Sequence, residues 1–185
     1  MEISGEHRIP APRDQVWEAL NDPAVLQASI PGCESLEKES DTTLTAGVVS
    51  KIGSIKARFT GKVNLTDIVP PCSYTISGQG QGGMAGSAKG TARVELEDCK
   101  PQETLLRYTA KADVAGKLAS VGSRVIQGVV RKTADDFFRN FVEQVSGVKP
   151  AAAEPVKPTA GVNRLVWIIA AGILVAAAAI AFMLL

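Results

Sequence analysis

The sequence is poor in the residues that most enzymes use for catalysis and for metal binding. It contains one histidine, His7, and three cysteines, Cys33, Cys72 and Cys99, without any CxxC spacing. An odd number of widely spaced cysteines is typical of reduced thiols in the cytosol. Such cysteines supply neither a disulfide framework nor the ligands of an iron–sulfur cluster. One histidine and scattered serines give no nucleophile–base pair. We therefore predict that the protein is not an enzyme, with no catalytic residue and no metal site.

The sequence also lacks an excess of charge of one sign, because its formal net charge is only +1. A near-neutral chain gives no general electrostatic basis for binding nucleic acid, so we expect no nucleic-acid partner. The adjacent carboxylates Asp135 and Asp136 are expected on a solvated surface, since a metal pair would need further ligands nearby.

Long hydrophobic runs are missing everywhere except at residues 165–185, which contain neither a charged residue nor a proline. A helix of this length measures roughly 31 Å, close to the ~30 Å hydrocarbon core of a bilayer. The alternative, a buried core helix, is disfavoured by the absence of a polar face. Lys149, Lys157 and Arg164 precede this run, and the N-terminal segment is too polar for a secretory signal. We expect a single-pass C-terminal anchor in the cytoplasmic membrane, with the preceding domain in the cytoplasm.

Three parts are therefore predicted along the chain. Residues 1–147 form one domain, residues 148–164 form a linker rich in proline and alanine, and residues 165–185 form the transmembrane anchor. A linker of this composition is expected to be extended and semi-rigid.

The domain reads as an α+β fold. Alternating residues predict a strand from Glu2 to Ile9, and two short helices follow, the second over 24–29. Residues 34–114 are predicted as antiparallel strands with short connections. Residues 117–145 have a wide apolar stripe, which predicts a long helix packed on the concave face of the sheet.

The predicted inward face of the sheet is unusually empty at one end. In the two strands predicted over 74–82 and 86–98, the even-numbered residues face inward. These residues are large and apolar at one end of the strands and are glycine or alanine at the other end, whereas the odd-numbered residues are mostly polar. Either backbones pack closely there or a ligand fills the space. An apolar pocket would suit a lipophilic molecule. The predicted lining residues are Ala57, Phe59, Gly61, Tyr74, Ile76, Gly78, Gly80, Ala88, Gly90, Tyr108, Ala110, Ala112, Leu118, Val121, Gly122 and Val125.

The segment GQGQGGMAGSAKG separates two of these strands. It lacks the strand–loop–helix order of a nucleotide-binding fingerprint, so we interpret it as a flexible hairpin at the mouth of the pocket. Met84 at its tip is either a soft apolar contact or simply an exposed residue. His7 is expected to point inward, where it either bonds to the backbone or donates a hydrogen bond to a carbonyl of a ligand.

This order of elements resembles the START-like superfamily, also called SRPBCC, with its helix-grip, polyketide cyclase-like fold. The segment VWEALNDPAVLQASIPGCESLE, the glycine-rich run and FFRNFVEQV are similar to the family of the G subunit of carbon monoxide dehydrogenase. The resemblance covers residues 1 to about 147, and many members also have the linker and the C-terminal membrane helix.

The resemblance implies an accessory protein of a molybdenum-containing, carbon monoxide dehydrogenase-type hydroxylase. It implies recruitment of that enzyme to the membrane and non-covalent binding of a quinone, menaquinone or ubiquinone, that links the enzyme to the respiratory chain. A second hypothesis is a purely structural adaptor without a ligand. A third, a START-like cyclase or hydrolase, would need an inward acid–base cluster, which the sequence does not show.

Overall fold

The computed structural model describes residues 1–147, and the predicted linker and anchor lie outside these described residues. Ten regular elements follow the order β-α-α-β-β-β-β-β-β-α. They are β1 (Glu2–Ile9), α1 (Arg13–Leu20), α2 (Pro23–Ser29), β2 (Cys33–Ser40), β3 (Thr43–Ile52), β4 (Ile55–Val69), β5 (Ser73–Gln81), β6 (Ser87–Lys100), β7 (Glu103–Ala115) and α3 (Ser123–Ser146).

All seven strands form one antiparallel sheet in the order β1-β7-β6-β5-β4-β3-β2. Strands β2 to β7 are a meander in which each strand pairs with the next along the chain. Strand β1 closes the order by pairing with β7, from Glu2 opposite Lys111 to Ile9 opposite Thr104. The predicted antiparallel sheet is confirmed.

Helices α1 and α2 are the two short helices that the sequence predicts. Helix α2 begins with Pro23 in its first turn, and the Asp22 carboxylate accepts a hydrogen bond from the Ala24 N–H at 2.8 Å. This is an ordinary cap for the unpaired donors of a helix N-terminus. The Asn140 amide donates to the Ser29 carbonyl at 3.1 Å, which ties α2 to the long helix α3.

Helix α3 begins later than the sequence predicts. The periodicity places its start at Lys117, whereas the structure has a 3₁₀ helix at Gly116–Val121 and α3 only from Ser123. Gly122 between them has φ 94°, a left-handed conformation that breaks helical geometry and suits glycine. The apolar periodicity continues through this break because Leu118 is buried as well as Ile126.

The core lies between α3 and the concave face of the sheet. Helix α3 buries one apolar stripe, as the predicted amphipathic pattern requires, and the stripe comprises Ile126, Val130, Ala134, Phe137, Phe138, Phe141 and Val145. In the sheet, Tyr74, Ile76, Ala88, Ala92 and Val94 are buried while their odd-numbered neighbours Gln79, Lys89 and Arg93 are exposed. The predicted parity is therefore confirmed. Within residues 1–147, no helix is both long enough and apolar enough to cross a membrane.

Candidate ligand-binding site

An apolar cavity of about 70 Å³ lies at the end of the concave face where the large side chains are. The sheet forms one wall, and α1, α2 and the C-terminal half of α3 form the other. The cavity is lined by Leu20, Asn21, Leu26, Ile30, Leu36, Lys38, Asp41, Leu44, Val63, Leu65, Tyr74, Ile76, Leu106, Phe137 and Phe138.

The few polar residues of this lining gather at its rim. Lys38 and Asp41 come from β2 and the turn after it, and Lys38 Nζ lies 3.3 Å from Asp41 Oδ1. The Asp41 side chain is fully exposed, so the cavity reaches the surface on this side. Asn21 contributes to the lining from the end of α1, and its Nδ2 donates to the Trp17 carbonyl at 2.8 Å. That bond leaves the Asn21 amide oxygen as an acceptor at the rim.

Tyr74 is the one phenol in the cavity wall. It is 4% exposed, and Trp17 packs edge-on against its ring with centroids 5.4 Å apart. Burial raises the pKa of the phenol, so the hydroxyl stays protonated throughout the physiological range. Its hydroxyl has no hydrogen-bond partner among residues 1–147. A protonated, unpaired hydroxyl in an apolar wall is a donor for a ligand carbonyl.

His7 points inward, as its strand parity predicts, but it does not line the cavity. Its ring stacks on Phe138 with centroids 3.6 Å apart, and Tyr108 lies 6.3 Å from both rings. Phe138 is itself a cavity residue. His7 and Tyr108 therefore support the lining from behind.

Only two of the predicted lining residues, Tyr74 and Ile76, border this cavity. Tyr108 is buried behind the lining, beside His7 and Phe138, and the others lie toward the opposite, small-residue end of the concave face. Buried there are Phe59, Gly61, Ala88, Ala110 and Leu118; half-buried are Ala57, Gly78, Gly80, Gly90, Ala112 and Val121; exposed are Gly122 and Val125.

Close approach explains part of the small-residue end. A Cβ on Gly82 would overlap the ring of Phe59, and a Cβ on Gly90 would lie 3.1 Å from the Lys111 carbonyl oxygen. Phe59 therefore fills space beside the glycine-rich hairpin. At these two glycines the structure favours close packing over open space, the alternative that the sequence left open.

Five of the predicted residues also border open grooves on the outer face of the sheet. Gly78 and Gly90 border a groove of about 400 Å³, and Gly61, Gly80 and Ala88 border one of about 560 Å³. The outward side chains there, Lys62, Gln79, Lys89 and Asp113, are polar. Such grooves do not have the apolar lining that a lipophilic molecule needs.

Sequence reasoning missed the wall that α2 and the β2–β3 hairpin supply. Leu26, Ile30, Leu36 and Leu44 are large apolar residues, and each satisfies the pattern of an ordinary core residue. Their sequence contains no sign that they surround a space, because the space depends on how far α2 stands from the sheet. Among residues 1–147, no three His, Cys, Asp or Glu side chains converge in a way that could hold a metal ion.

The sequence model of the CoxG family, described as the G subunit of carbon monoxide dehydrogenase, matches residues 5–146. The chain belongs to the CoxG family. The family name describes an accessory protein associated with carbon monoxide dehydrogenase, as the sequence resemblance indicates.

Solved structures place this CoxG domain in the START-like fold. A conserved protein from Geobacillus kaustophilus is 29% identical, with a TM-score of 0.75, over 80% of this chain and 96% of that chain. A START superfamily protein from Mycobacterium smegmatis has a TM-score of 0.62 at 12% identity, over 79% and 97% of the two chains.

An enzyme is also among the structures of this fold. The Zhui aromatase/cyclase from Streptomyces sp. R1128 has a TM-score of 0.56 at 16% identity, over 79% and 93% of the two chains. At this identity the likeness extends to the fold alone. No curated protein matches the sequence.

Proposed function

We propose that this protein recruits a molybdenum-containing, carbon monoxide dehydrogenase-type hydroxylase to the cytoplasmic membrane and binds a lipophilic quinone there, linking the enzyme to the respiratory chain. Membership of the CoxG family supports the partner, and the apolar run at residues 165–185 supports the membrane location. The observation that supports a quinone ligand is the apolar cavity with the unpaired Tyr74 hydroxyl in its wall.

The cavity suits the chemistry of a quinone. A quinone ring is flat and apolar and has two carbonyl oxygens that only accept hydrogen bonds. Tyr74 supplies a donor, while Phe137 and Phe138 supply flat apolar surface. Menaquinone and ubiquinone share these properties, so the proposal covers both.

The size of the cavity sets how the quinone enters. About 70 Å³ is too small for a quinone ring and its isoprenoid tail together. Binding therefore requires side chains at the rim to move, and the tail leaves through the opening beside Lys38 and Asp41. The Lys38–Asp41 ion pair is largely exposed and worth little, so breaking it opposes entry weakly.

The same small volume favours the second hypothesis, a structural adaptor without a ligand. In that case the cavity is a packing defect of the domain, and the anchor and the docking surface alone have a function. The two hypotheses differ in whether the purified protein carries quinone.

Extraction of the full chain from membranes, followed by mass spectrometry of the solvent extract, distinguishes them. We expect about one quinone per protein at most, a marked loss in Leu44→Phe, which fills the cavity, and weaker retention in Tyr74→Phe. Tyr108→Phe is the matched control, because it also removes a buried tyrosine hydroxyl but lies outside the cavity lining. Absence of quinone from the parent would leave the adaptor. Equal loss in Tyr74→Phe and Tyr108→Phe would show instead that the Tyr74 hydroxyl does not bind the quinone.

A further inference from the structure

One end of the domain combines unpaired basic side chains with apolar side chains that are exposed or half-buried. We call it the basic-apolar end, and it comprises Lys51, Lys56, Met84, Lys117, Val121, Arg124 and Val125. These residues come from three segments: the β3–β4 hairpin, the 3₁₀ helix at Gly83–Ala85, and the chain from Gly116 into the first turn of α3.

Backbone contacts join the three segments. A Cβ on Gly53, in the β3–β4 turn, would lie 3.6 Å from Cγ1 of Val121. A Cβ on Gly116 would lie only 2.6 Å from the Cα of Gly86, so the chain flanking Met84 packs directly on the chain preceding Lys117. The seven residues therefore belong to one surface.

Lys51 and Lys56 lie directly opposite each other across the β3–β4 pair. Like charges at such positions destabilise a sheet. Neither lysine makes an ion pair with any of residues 1–147. A hairpin shaped by folding alone would be more stable with a carboxylate at one of these positions, so the pair of cations indicates an anionic partner.

The other cations of this end are also unpaired. Lys117 and Arg124 are exposed and make no ion pair within the described part of the chain. Elsewhere most cations have a carboxylate, as Lys62 has Glu39 and Lys132 has Asp136. The first turn of α3 contains no acidic residue either, so nothing on that helix end offsets Arg124.

Exposed apolar side chains accompany these charges. Met84 is 85% exposed and Val125 is 43% exposed, and both belong to this end. Cations attract the anionic headgroups of a charged membrane, while flexible apolar side chains enter the layer below the headgroups. An acidic protein surface would suit the cations but would leave Met84 in water.

The length of chain beyond the described residues permits this contact. Helix α3 has 24 residues and is about 36 Å long, so Gly147 lies that far from Arg124. Residues 148–164 can reach at most about 60 Å when fully extended. The apolar run at 165–185 can therefore enter the same bilayer surface that the basic-apolar end touches.

We propose that the basic-apolar end docks the domain on the anionic headgroups of the bilayer, with Met84 inserted and the four cations on phosphate groups. This proposal rests on the membrane location in the proposed function but not on the quinone. It fixes the orientation of the domain: α3 stands with its N-terminus toward the membrane.

Residues 1–147 are a suitable reagent, because the sheet and core are complete within them and the aligned Geobacillus kaustophilus chain is covered to 96% by this domain. Sedimentation is measured with phosphatidylcholine vesicles, with and without phosphatidylglycerol. We expect binding to the anionic vesicles only, weakening as salt rises. Lys56→Glu should lower the partition coefficient roughly thirtyfold, since one cation is removed and one anion is added.

A matched control and a second readout separate docking from folding. Lys100→Glu makes the same charge change at the far end of the sheet and should leave vesicle binding nearly unchanged. Lys56→Glu should also raise the free energy of unfolding, because it places opposite charges across the strands. Met84→Ser should weaken binding without changing its salt dependence.

Three results would overturn the docking proposal: no binding of the parent domain to anionic vesicles, equal loss in Lys100→Glu and Lys56→Glu, or loss of dehydrogenase binding in Lys56→Glu with vesicle binding intact. Quinone content of the same variants keeps the two proposals apart. Quinone without vesicle binding overturns docking alone, whereas vesicle binding without quinone in the parent overturns the quinone proposal alone.

Discussion

The ring of Phe59 occupies the place where a side chain at position 82 would lie. A Cβ built on Gly82 falls inside the van der Waals surfaces of Phe59 Cδ1 and Cε1 and lies 3.0 Å from Cζ. Phe59 is completely buried, so its ring cannot turn outward into solvent without leaving the core. The glycine-rich hairpin thus packs on the Phe59 ring of β4, in addition to the backbone pairing of β5 with β4.

Replacing Gly82 with alanine should therefore destabilise the domain by about 1–3 kcal/mol, because the added methyl forces a buried ring out of its rotamer. Urea unfolding of residues 1–147 measures this free energy. Gly128→Ala is the control: among residues 1–147, no atom other than the adjacent backbone of its own helix lies within 4 Å of the added Cβ, and the change removes a glycine from a helix interior. It should stabilise by about 0.5–1 kcal/mol. Equal effects of the two changes would show that Phe59 does not pack on the hairpin.

The contribution of the Asp135 carboxyl to the free energy of unfolding should decrease as pH rises, which is the reverse of the usual behaviour of an aspartate. Burial, together with the neighbouring Asp136 carboxylate, raises the pKa of Asp135 in the folded state. Between its unfolded and folded pKa values the native state binds more protons than the unfolded chain, so this group's contribution to stability falls as pH rises through that window. Asp135→Asn should therefore be more stable than the parent at neutral pH, and the difference should vanish below about pH 4.

Asp136 provides the opposite case one residue away. Although partial burial opposes it, hydrogen bonds from Lys132 and Arg139 lower the pKa of Asp136. Its stabilising contribution is present above the unfolded pKa and is lost as pH falls through the folded value. Asp136→Asn should be less stable than the parent at neutral pH. Unfolding curves of both variants from pH 3 to 8 check the two signs, and a shared sign would contradict the structure.

Ending the chain at Gly147 should give a folded protein that is released from membranes at high salt. Helix α3 closes at Gly147, whose N–H donates to the Glu143 carbonyl at 3.1 Å, so the domain is complete at this residue. High salt screens the attraction to headgroups. Under the same conditions the full chain should stay with the membrane fraction. Release of the full chain by salt alone would show that residues 165–185 are not an anchor.

Electron transfer from the dehydrogenase to membranes should be slower with the truncated protein than with the full chain. Tethering keeps a carrier at an effective concentration of ~mM for a short flexible linker, and the free domain loses this advantage at low concentration. Quinone reduction by isolated membranes, with dehydrogenase and either form of the protein at matched low concentration, measures the effect. Equal rates would mean that tethering makes no contribution.

Much of the sheet could be predicted because each strand repeats a two-residue pattern. Ile76 and Gln79 have opposite parity on β5, and the structure places them on opposite faces. The start of α3 could not be predicted in the same way. Apolar residues continue through the 3₁₀ helix into α3, and only the left-handed conformation of Gly122, which periodicity does not encode, separates the two helices.

The cavity was harder to predict than the fold for a related reason. Small residues such as Gly90 attract attention as missing volume, yet a neighbouring carbonyl already approaches Gly90 closely. The space beside Leu44 and Tyr74 arises instead from the distance between α2 and the sheet, which depends on contacts such as Asn140 to Ser29. Distances between elements that are far apart in the chain leave no local trace in the sequence.

The pairing of β1 with β7 delays completion of the sheet during synthesis. About a hundred residues separate the two strands, so during translation β1 leaves the ribosome on the order of 5–20 s before its partner exists. The meander from β2 to β7 needs only neighbouring strands and can assemble as it emerges. Throughout that interval β1 exposes unpaired N–H and C=O groups beside buried-type residues such as Ile3 and Ile9. The nascent chain is therefore most open to aggregation, and to assistance from chaperones, at its first strand.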